Sequence, residues 1–453
     1  MNPTAKLTWI AALAAFLYQF EGYGVIAALP SISHDLGLSP ATAAWIPASY
    51  LIAAMIGLVL SGTLIQRFGF CPLFLLALGM LAGGALLCSA SVHLVMLLPG
   101  RGIQGLGGGI LAATAYTMIG SVAPSESRRR ILGWLGAGAG LGMVLGAPAG
   151  GWIAETASWR SLFLVLVGLV VLAMPIFLNS PRRPPGINVQ AGGWSGALLL
   201  GIGVGALSTA ATLVNLDGWI APSTLGGLAV AALSLALFTR HEARNPLPLF
   251  SATVWKNAPL WLSWAVLVTS LFALSGSTFL LPFHLQQDAD LSPSMASLVL
   301  LVQAATYGVA SFLQGPICRC LSPRMQAASG LLTALTGVTG FAMGAATLSL
   351  PTAMLAAIAL GFGIGCALPA VNELCLSQLA SDDRIAGSSV IPLGINFGSI
   401  AGVVVCGTAV RSLEKISPAF GPHGHAFQET FYLASGSLLA ALILLQWLPV
   451  QQS

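Results

Sequence analysis

The chain is a succession of long apolar runs separated by short segments that hold most of its charge. The runs cover about 7–29, 42–64, 73–92, 95–122, 131–153, 161–179, 192–214, 221–239, 259–282, 294–315, 325–347, 351–379, 386–410 and 429–448. Each is close to the roughly 20 residues that a helix, rising 1.5 Å per residue, needs to cross a hydrocarbon core of about 30 Å. Barrel strands would instead show stretches of about 10 residues with alternating polarity. The pattern predicts an all-α integral membrane protein with fourteen transmembrane helices. Composition agrees: of 453 residues 56% are hydrophobic and 7% charged, against about 25% charged in a soluble domain. No polar segment is long enough for a soluble domain. The first run is too long for a signal-peptide core and lacks a convincing small-residue cleavage site, so it reads as a retained span.

Lysine and arginine set the expected orientation. With the N-terminus inside, 13 of the 17 fall in inner segments, Arg160, Arg411 and Lys415 fall outside, and Arg101 lies within a span. This positive-inside bias predicts a multi-pass protein of the cell (inner) membrane with both termini cytoplasmic. It also checks the span count, because one missed helix would invert every later loop. None of the seven cysteines then lies in an outer loop, so no disulfide framework is expected. Cys318-x-Cys320 and His423-x-His425 are too sparse for a metal site.

Two stretches match at an offset of 256 residues: GLGGGILAATAYTMIGSVAPSESR from Gly105 and GFGIGCALPAVNELCLSQLASDDR from Gly361. Both end in Ser-acid-x-Arg, and the same offset superimposes Gly138, Gly142 and Gly146 on Gly394, Gly398 and Gly402. Residues 1–190 and 246–453 therefore read as duplicated six-helix halves, with a two-helix insert at 191–245. Parallel repeats of this kind are a transporter plan with the substrate site between the halves.

Within the spans, Glu21 and Arg101 are the opposite charges of the first half. Glu21 is about 12 Å, and Arg101 about 10 Å, from the expected outer face. A charge at mid-membrane costs roughly 2.5–3.5 kcal/mol on insertion scales, and pairing offsets part of that. The pair is either a fixed ion pair orienting two helices or a proton site. Burial raises a carboxyl pKa and a neighbouring arginine lowers it, so the two effects compete. The repeat counterpart of Glu21 is roughly Ala273, so the feature is not duplicated. Glu373, beside Asn372, is a second acid near the inner end of its span. It either binds a cation or passes a proton, or it snorkels to the interface. Tyr50, Tyr116, Phe272, Tyr307 and Asn396 are candidates to line a central cavity. Each alone also reads as packing, and Trp45 reads as an interface anchor.

At this point the chain resembles the major facilitator superfamily, and more narrowly its fourteen-span drug:proton antiporters, over nearly its whole length. FEGYGVIAALP is similar to the first-span motif, with Glu21 where aspartate is usual and Tyr23 where threonine is usual. Trp45 and Tyr50 fit a Trp-x4-Tyr pattern. GTLIQRFG resembles the inner-loop signature at Gly62, Leu64, Arg67 and Gly69, with Gln66 in place of the usual aspartate. The second half echoes it with Arg319 in place of the acid. RGIQGLGGG matches Arg-x-x-Gln-Gly at Arg101, Gln104 and Gly105. GLGMVLGAPAGG resembles the antiporter motif at Gly142, Gly146, Gly150 and Gly151, with Pro148 one residue late. Trp159 to Phe163 fits the fourteen-span group.

The resemblance implies a monomeric antiporter that exchanges protons for amphipathic, often cationic drugs or dyes. Its partners would be that small molecule, protons and the bilayer, with no nucleic acid and no cofactor. Glu21 and Arg101 would couple the proton, and Gln104 would join the cavity candidates. The inner-loop and antiporter motifs would govern the change of conformation. A dedicated exporter of one metabolite or antibiotic, and a non-transporting membrane sensor, are the alternatives. Against an enzyme, the sequence shows no catalytic triad and no Gly-x4-Gly-Lys-Ser/Thr nucleotide loop.

Overall fold

The computed structural model describes residues 3–123, 125–178, 180, 194–217, 220–244, 256–317, 321–343, 349–379, 390–416 and 424–448. Cys318, Arg319 and Cys320, the Ser381–Arg384 loop, Arg182, Arg183 and His423 lie outside these residues.

Among the described residues there are fourteen long helices and no strand. These are α1 (Pro3–Leu36), α2 (Trp45–Phe68), α3 (Phe70–Ser89), α4 (Leu94–Val122), α5 (Ser125–Thr156), α6 (Trp159–Leu178) and α7 (Trp194–Asp217). They continue with α8 (Pro222–Arg244), α9 (Ala258–Gln287), α10 (Pro293–Ile317), α11 (Pro323–Met343), α12 (Leu350–Ser377), α13 (Val390–Ile416) and α14 (Gly424–Gln446). A single turn, Pro40–Ala43, precedes α2. Among the described residues, twelve helices are long and apolar enough to cross a membrane. The others are α7, whose apolar stretch is Leu198–Ala211, and α11, which is rich in Thr, Ser and Gly.

The chain divides into two compact units. Unit 1 holds Met1–Gly37, Trp45–Ala206 and Ala229–Pro248; unit 2 holds Leu38–Ala44, Leu207–Leu228 and Leu249–Ser453. In unit 1, α1 packs on α5 and α6, α2 on α4, and α3 on α4 and α6. In unit 2 the same pairings recur: α9 on α13 and α14, α10 on α12, α11 on α12 and α14. The turn at Pro40–Ala43 packs on α13, where Arg411 Nη1 donates to Ser39 Oγ at 3.4 Å.

Glycine rows set these crossings. On α5, a Cβ at Gly138, Gly142, Gly146 or Gly150 would strike the carbonyl of Ala12, Phe16, Phe20 or Gly24 of α1. On α13, a Cβ at Gly394, Gly398 or Gly402 would strike the Trp264 indole or the carbonyl of Val268 or Phe272 of α9. Lipid gives no hydrophobic drive between helices, so close backbone approach through small residues holds them together. The two seams align at 256 residues on the glycine helix and 252 on its partner. The counterpart of Glu21 is therefore Ala273, which is fully buried.

A polar clasp closes the Leu36 end of α1. Arg160 Nη1 pairs with Asp35 at 2.8 Å, and its Nη2 donates to the Ser91 carbonyl at 2.9 Å. Trp159 Nε1 donates to the same carboxylate at 3.0 Å. One arginine thus ties α1, the α3–α4 connection and α6.

Candidate functional site

The glycines of RGIQGLGGG work on separate faces of α4. Gly105 and Gly109 admit the carbonyls of Tyr50 and Ala54 on α2, and Gly107 admits the Ala77 carbonyl of α3. A Cβ at Gly108 would lie 2.5 Å from the Tyr50 hydroxyl. This close approach brings α2 and α4 together around Arg101, while the α1–α5 seam holds Glu21 on α1.

Arg101 and Glu21 form an ion pair, Nη1 to Oε1, with both side chains 1% exposed. Arg101 Nη1 also donates to Gln104 Oε1 at 3.0 Å, and Nε donates to the Ile46 carbonyl at 3.3 Å. The guanidinium carbon stands 4.6 Å from the centre of the Tyr50 ring, within cation–π range. Gln104 Oε1 accepts a second bond, from Cys88 Sγ at 3.4 Å. Arginine suits this place because its planar fork carries five donors and a weakly hydrated charge.

The cluster is not saturated. Among the described residues, Glu21 Oε2, the Tyr50 hydroxyl and Gln104 Nε2 are buried without a hydrogen-bond partner. With Glu21 ionised the pair is neutral; with Glu21 protonated it carries one positive charge.

The structure brings together four residues marked from sequence: Glu21, Tyr50, Arg101 and Gln104. It adds Tyr18, whose ring centre is 5.8 Å from that of Tyr50. Tyr18 precedes Glu21 by three residues, which is one helical turn, and that spacing was the available signal. Tyr116, four turns further along α4, is 56% exposed. In unit 2, Phe272 is half-buried and its carbonyl faces Gly402. Tyr307 is also half-buried. Asn396 is buried, its Nδ2 donating to Pro392 in its own helix at 2.9 Å. Glu373 is exposed on α12.

The motif residues separate in the same way. Gly142, Gly146 and Gly150 are seam positions, Gly151 is buried beside them, and Pro148 interrupts the hydrogen-bond ladder of α5. Gly69 has φ of 81°, so its left-handed turn between α2 and α3 favours glycine. Gly62 lies in α2. Arg67 is exposed and stacks on Phe68 at 5.3 Å; no acid among the described residues forms an ion pair with it.

The sequence matches the family model described as Major Facilitator Superfamily over residues 11–403. An "Uncharacterized MFS-type transporter YhcA" of Bacillus subtilis (strain 168) is 30% identical over 327 residues, 72% of this chain and 60% of that protein. The chain thus matches under two thirds of that relative's length. "Multidrug resistance protein Stp" of Mycobacterium tuberculosis (strain CDC 1551 / Oshkosh) is 26% identical over 428 residues, 93% of this chain and 79% of Stp. "Methylenomycin A resistance protein" of Bacillus subtilis (strain 168) is 26% identical over 309 residues, 67% of this chain and 65% of that protein. Among solved structures, a D-xylose–proton symporter shares the fold with a TM-score of 0.68 at 15% identity, over 98% of both chains.

Proposed function

Because the chain belongs to the Major Facilitator Superfamily, and so is a multi-pass membrane transporter, we propose that it is a proton-coupled exporter of amphipathic drugs or dyes. It works by alternating access of two six-helix halves joined by α7 and α8, with both termini in the cytoplasm. Facing outward, Glu21 takes a proton and substrate leaves. Facing inward, Glu21 gives up the proton and a cationic substrate binds in its place. Each proton entering with the field contributes about 2.3 kcal/mol per 100 mV. Arg101 keeps the empty carboxylate tolerable, and Tyr18, Tyr50 and Gln104 frame the site.

The observation that carries this reading is the buried Glu21–Arg101 pair with Glu21 Oε2 unpartnered. Its counterparts in the repeat are fully buried alanines, Ala273 and Ala357. The fold therefore needs no charge at these places. Intramembrane ionisable groups of this kind mark ion and proton pathways. The multidrug name of the Stp relative supports the substrate class. A dedicated exporter is the second reading, favoured by the relative named for resistance to one antibiotic.

The test is proton-gradient-driven dye transport in inverted vesicles, with wild type and Glu21→Gln inserted at equal level. The wild type is expected to transport and the variant to fail. A variant that transports with unchanged pH dependence would make Glu21 structural. If the wild type moves none of several unrelated dyes, dedicated export replaces the multidrug reading.

A further inference from the structure

At the Gln287 end of α9, unit 2 buries a second titratable pair that the export reading does not use. His284 is fully buried, and its Nδ1 lies 2.6 Å from Asp288 Oδ2, four residues on; the Asp288 side chain is 7% exposed. The imidazole is walled by two rings of α14, Phe427 at 5.7 Å and Phe431 at 5.6 Å between centres. Nε2 is buried and has no hydrogen-bond partner among the described residues.

The backbone fixes this arrangement. Asp290 adopts a left-handed φ of 55°, and Leu291 N–H donates back to the Leu285 carbonyl at 3.0 Å, closing the helix. Asp288 N–H donates to the His284 carbonyl at 3.0 Å. The carboxylate is therefore held one turn above the imidazole.

The fold does not require polarity here. In the α1–α9 alignment set by the seams, His284 corresponds to Ile32, also fully buried. An apolar side chain fills the same place in the other half. An imidazole with a bare nitrogen forgoes that packing and adds a desolvation cost.

We propose that His284 and Asp288 form a second proton-binding site, confined to unit 2 and independent of Glu21 and Arg101. In the empty state Nδ1–H donates to Asp288 and Nε2 offers its lone pair. Nε2 then accepts one proton from solvent, and the pair passes from one negative charge to none. Gln287 and Asp290, both exposed, place it one turn from the surface. Imidazole is the side chain suited to exchanging a proton in the physiological range.

Among the residues whose side chains are described, few other charges bear on the pair. On α14 the exposed Glu429 lies between the two phenylalanines. On α13, Arg411 is turned to Ser39. On α12, Glu373 stands near the Ser377 terminus, and on α11 Arg324 is spent on the carbonyls of Gln446 and Leu448. Among the described residues α10 carries no charge.

The experiment is a pH titration of the full chain, 15N-labelled at its six histidines, followed by NMR in detergent or nanodiscs. His284→Gln identifies the signal by its loss. Asp288→Asn, which keeps the histidine, identifies it independently should that variant not insert. The expected result is a signal that takes up a proton with pH, does so more weakly in Asp288→Asn, and is unchanged in Glu21→Gln. An imidazole that stays in one protonation state throughout, or whose titration vanishes with Glu21→Gln, would overturn the proposal. The readout needs no substrate, so its outcome is separate from that of the dye transport test.

Discussion

Arg101 meets Glu21, Gln104, the Ile46 carbonyl and the Tyr50 ring, so the two sides of the buried pair are unequal. Removing Glu21 leaves the guanidinium three partners. Removing Arg101 leaves a carboxylate without its counter-ion. Breaking one side of a buried pair costs about 3–5 kcal/mol. Arg101→Gln should therefore destabilise the folded protein by about that amount, and Glu21→Gln by less. The double variant should recover most of the loss without recovering transport. Thermal unfolding of the four proteins in one detergent checks this, and additive losses would show that the two residues are not coupled. The pair itself was legible in the sequence, since two opposite charges at similar depth in apolar spans have few other partners. Tyr18 was less so: its spacing from Glu21 puts it on the same helix face, but only the Tyr50 ring beside it shows that it joins the cluster. His284 is inconspicuous in the sequence for a different reason. His-x3-Asp at the end of an apolar run looks like a solvated helix end, and only packing against α14 shows that it is buried.

Among elements, α5 makes the sharpest prediction. Its glycines fall into two sets that the sequence does not distinguish. Gly138, Gly142, Gly146 and Gly150 meet the backbone of α1, whereas a Cβ at Gly133, Gly136 or Gly140 meets nothing within 4 Å. Alanine at the first set should lower stability by about 1–3 kcal/mol each through overpacking. Alanine at the second set should be neutral or stabilise by up to about 1 kcal/mol through helix propensity. An alanine scan read by thermal unfolding separates the two sets; a uniform response would mean that α5 does not pack as described. The spacing of four among the first set was visible in the sequence as overlapping Gly-x3-Gly. The other glycines blurred it, and the partner carbonyls carry no sequence signature at all. The clasp at Asp35 is a milder case. Its carboxylate side chain is 47% exposed, so Asp35→Asn should cost no more than about 1 kcal/mol. Arg160→Ala, which also gives up the Ser91 carbonyl, should cost more in the same assay.

For the whole molecule, hydropathy and charge bias made the number and order of helices legible, because lipid imposes length and apolarity on every span. The weakest stretches, α7 and α11, are those in which polar small residues dilute the apolar run. The repeat was legible at one offset only, since glycines mark α4, α5, α12 and α13. The offset of 252 between α1 and α9 emerges only from which backbone faces which glycine. If all fourteen helices cross, the two termini share one side. Reporter domains fused to the N-terminus and to the C-terminus should both be active in the cytoplasm. Opposite locations would mean that α7 or α11 does not cross.

The α1–α5 seam has a further consequence. Its contacts repeat every four residues on both helices, and they are made by backbone carbonyls, which every residue possesses. A ruler with identical marks cannot report which mark it stands on. Slipped by one turn, three of the four α1 carbonyls would still meet a glycine of α5, and the fourth would meet Trp134 or Ala154. Steric fit along the middle of the seam therefore discriminates weakly between registers, and polar contacts elsewhere can add to it. Two polar anchors along α1 can do so: Glu21 on Arg101 near the middle, and Asp35 on Arg160 near the Leu36 end. Buried polar groups are known to select register at the expense of stability. The carboxylate that the export reading assigns to the proton is then also the bolt that sets α1 against its neighbours. Glu21→Gln is then expected to change the local charge and to loosen the alignment of the helix together.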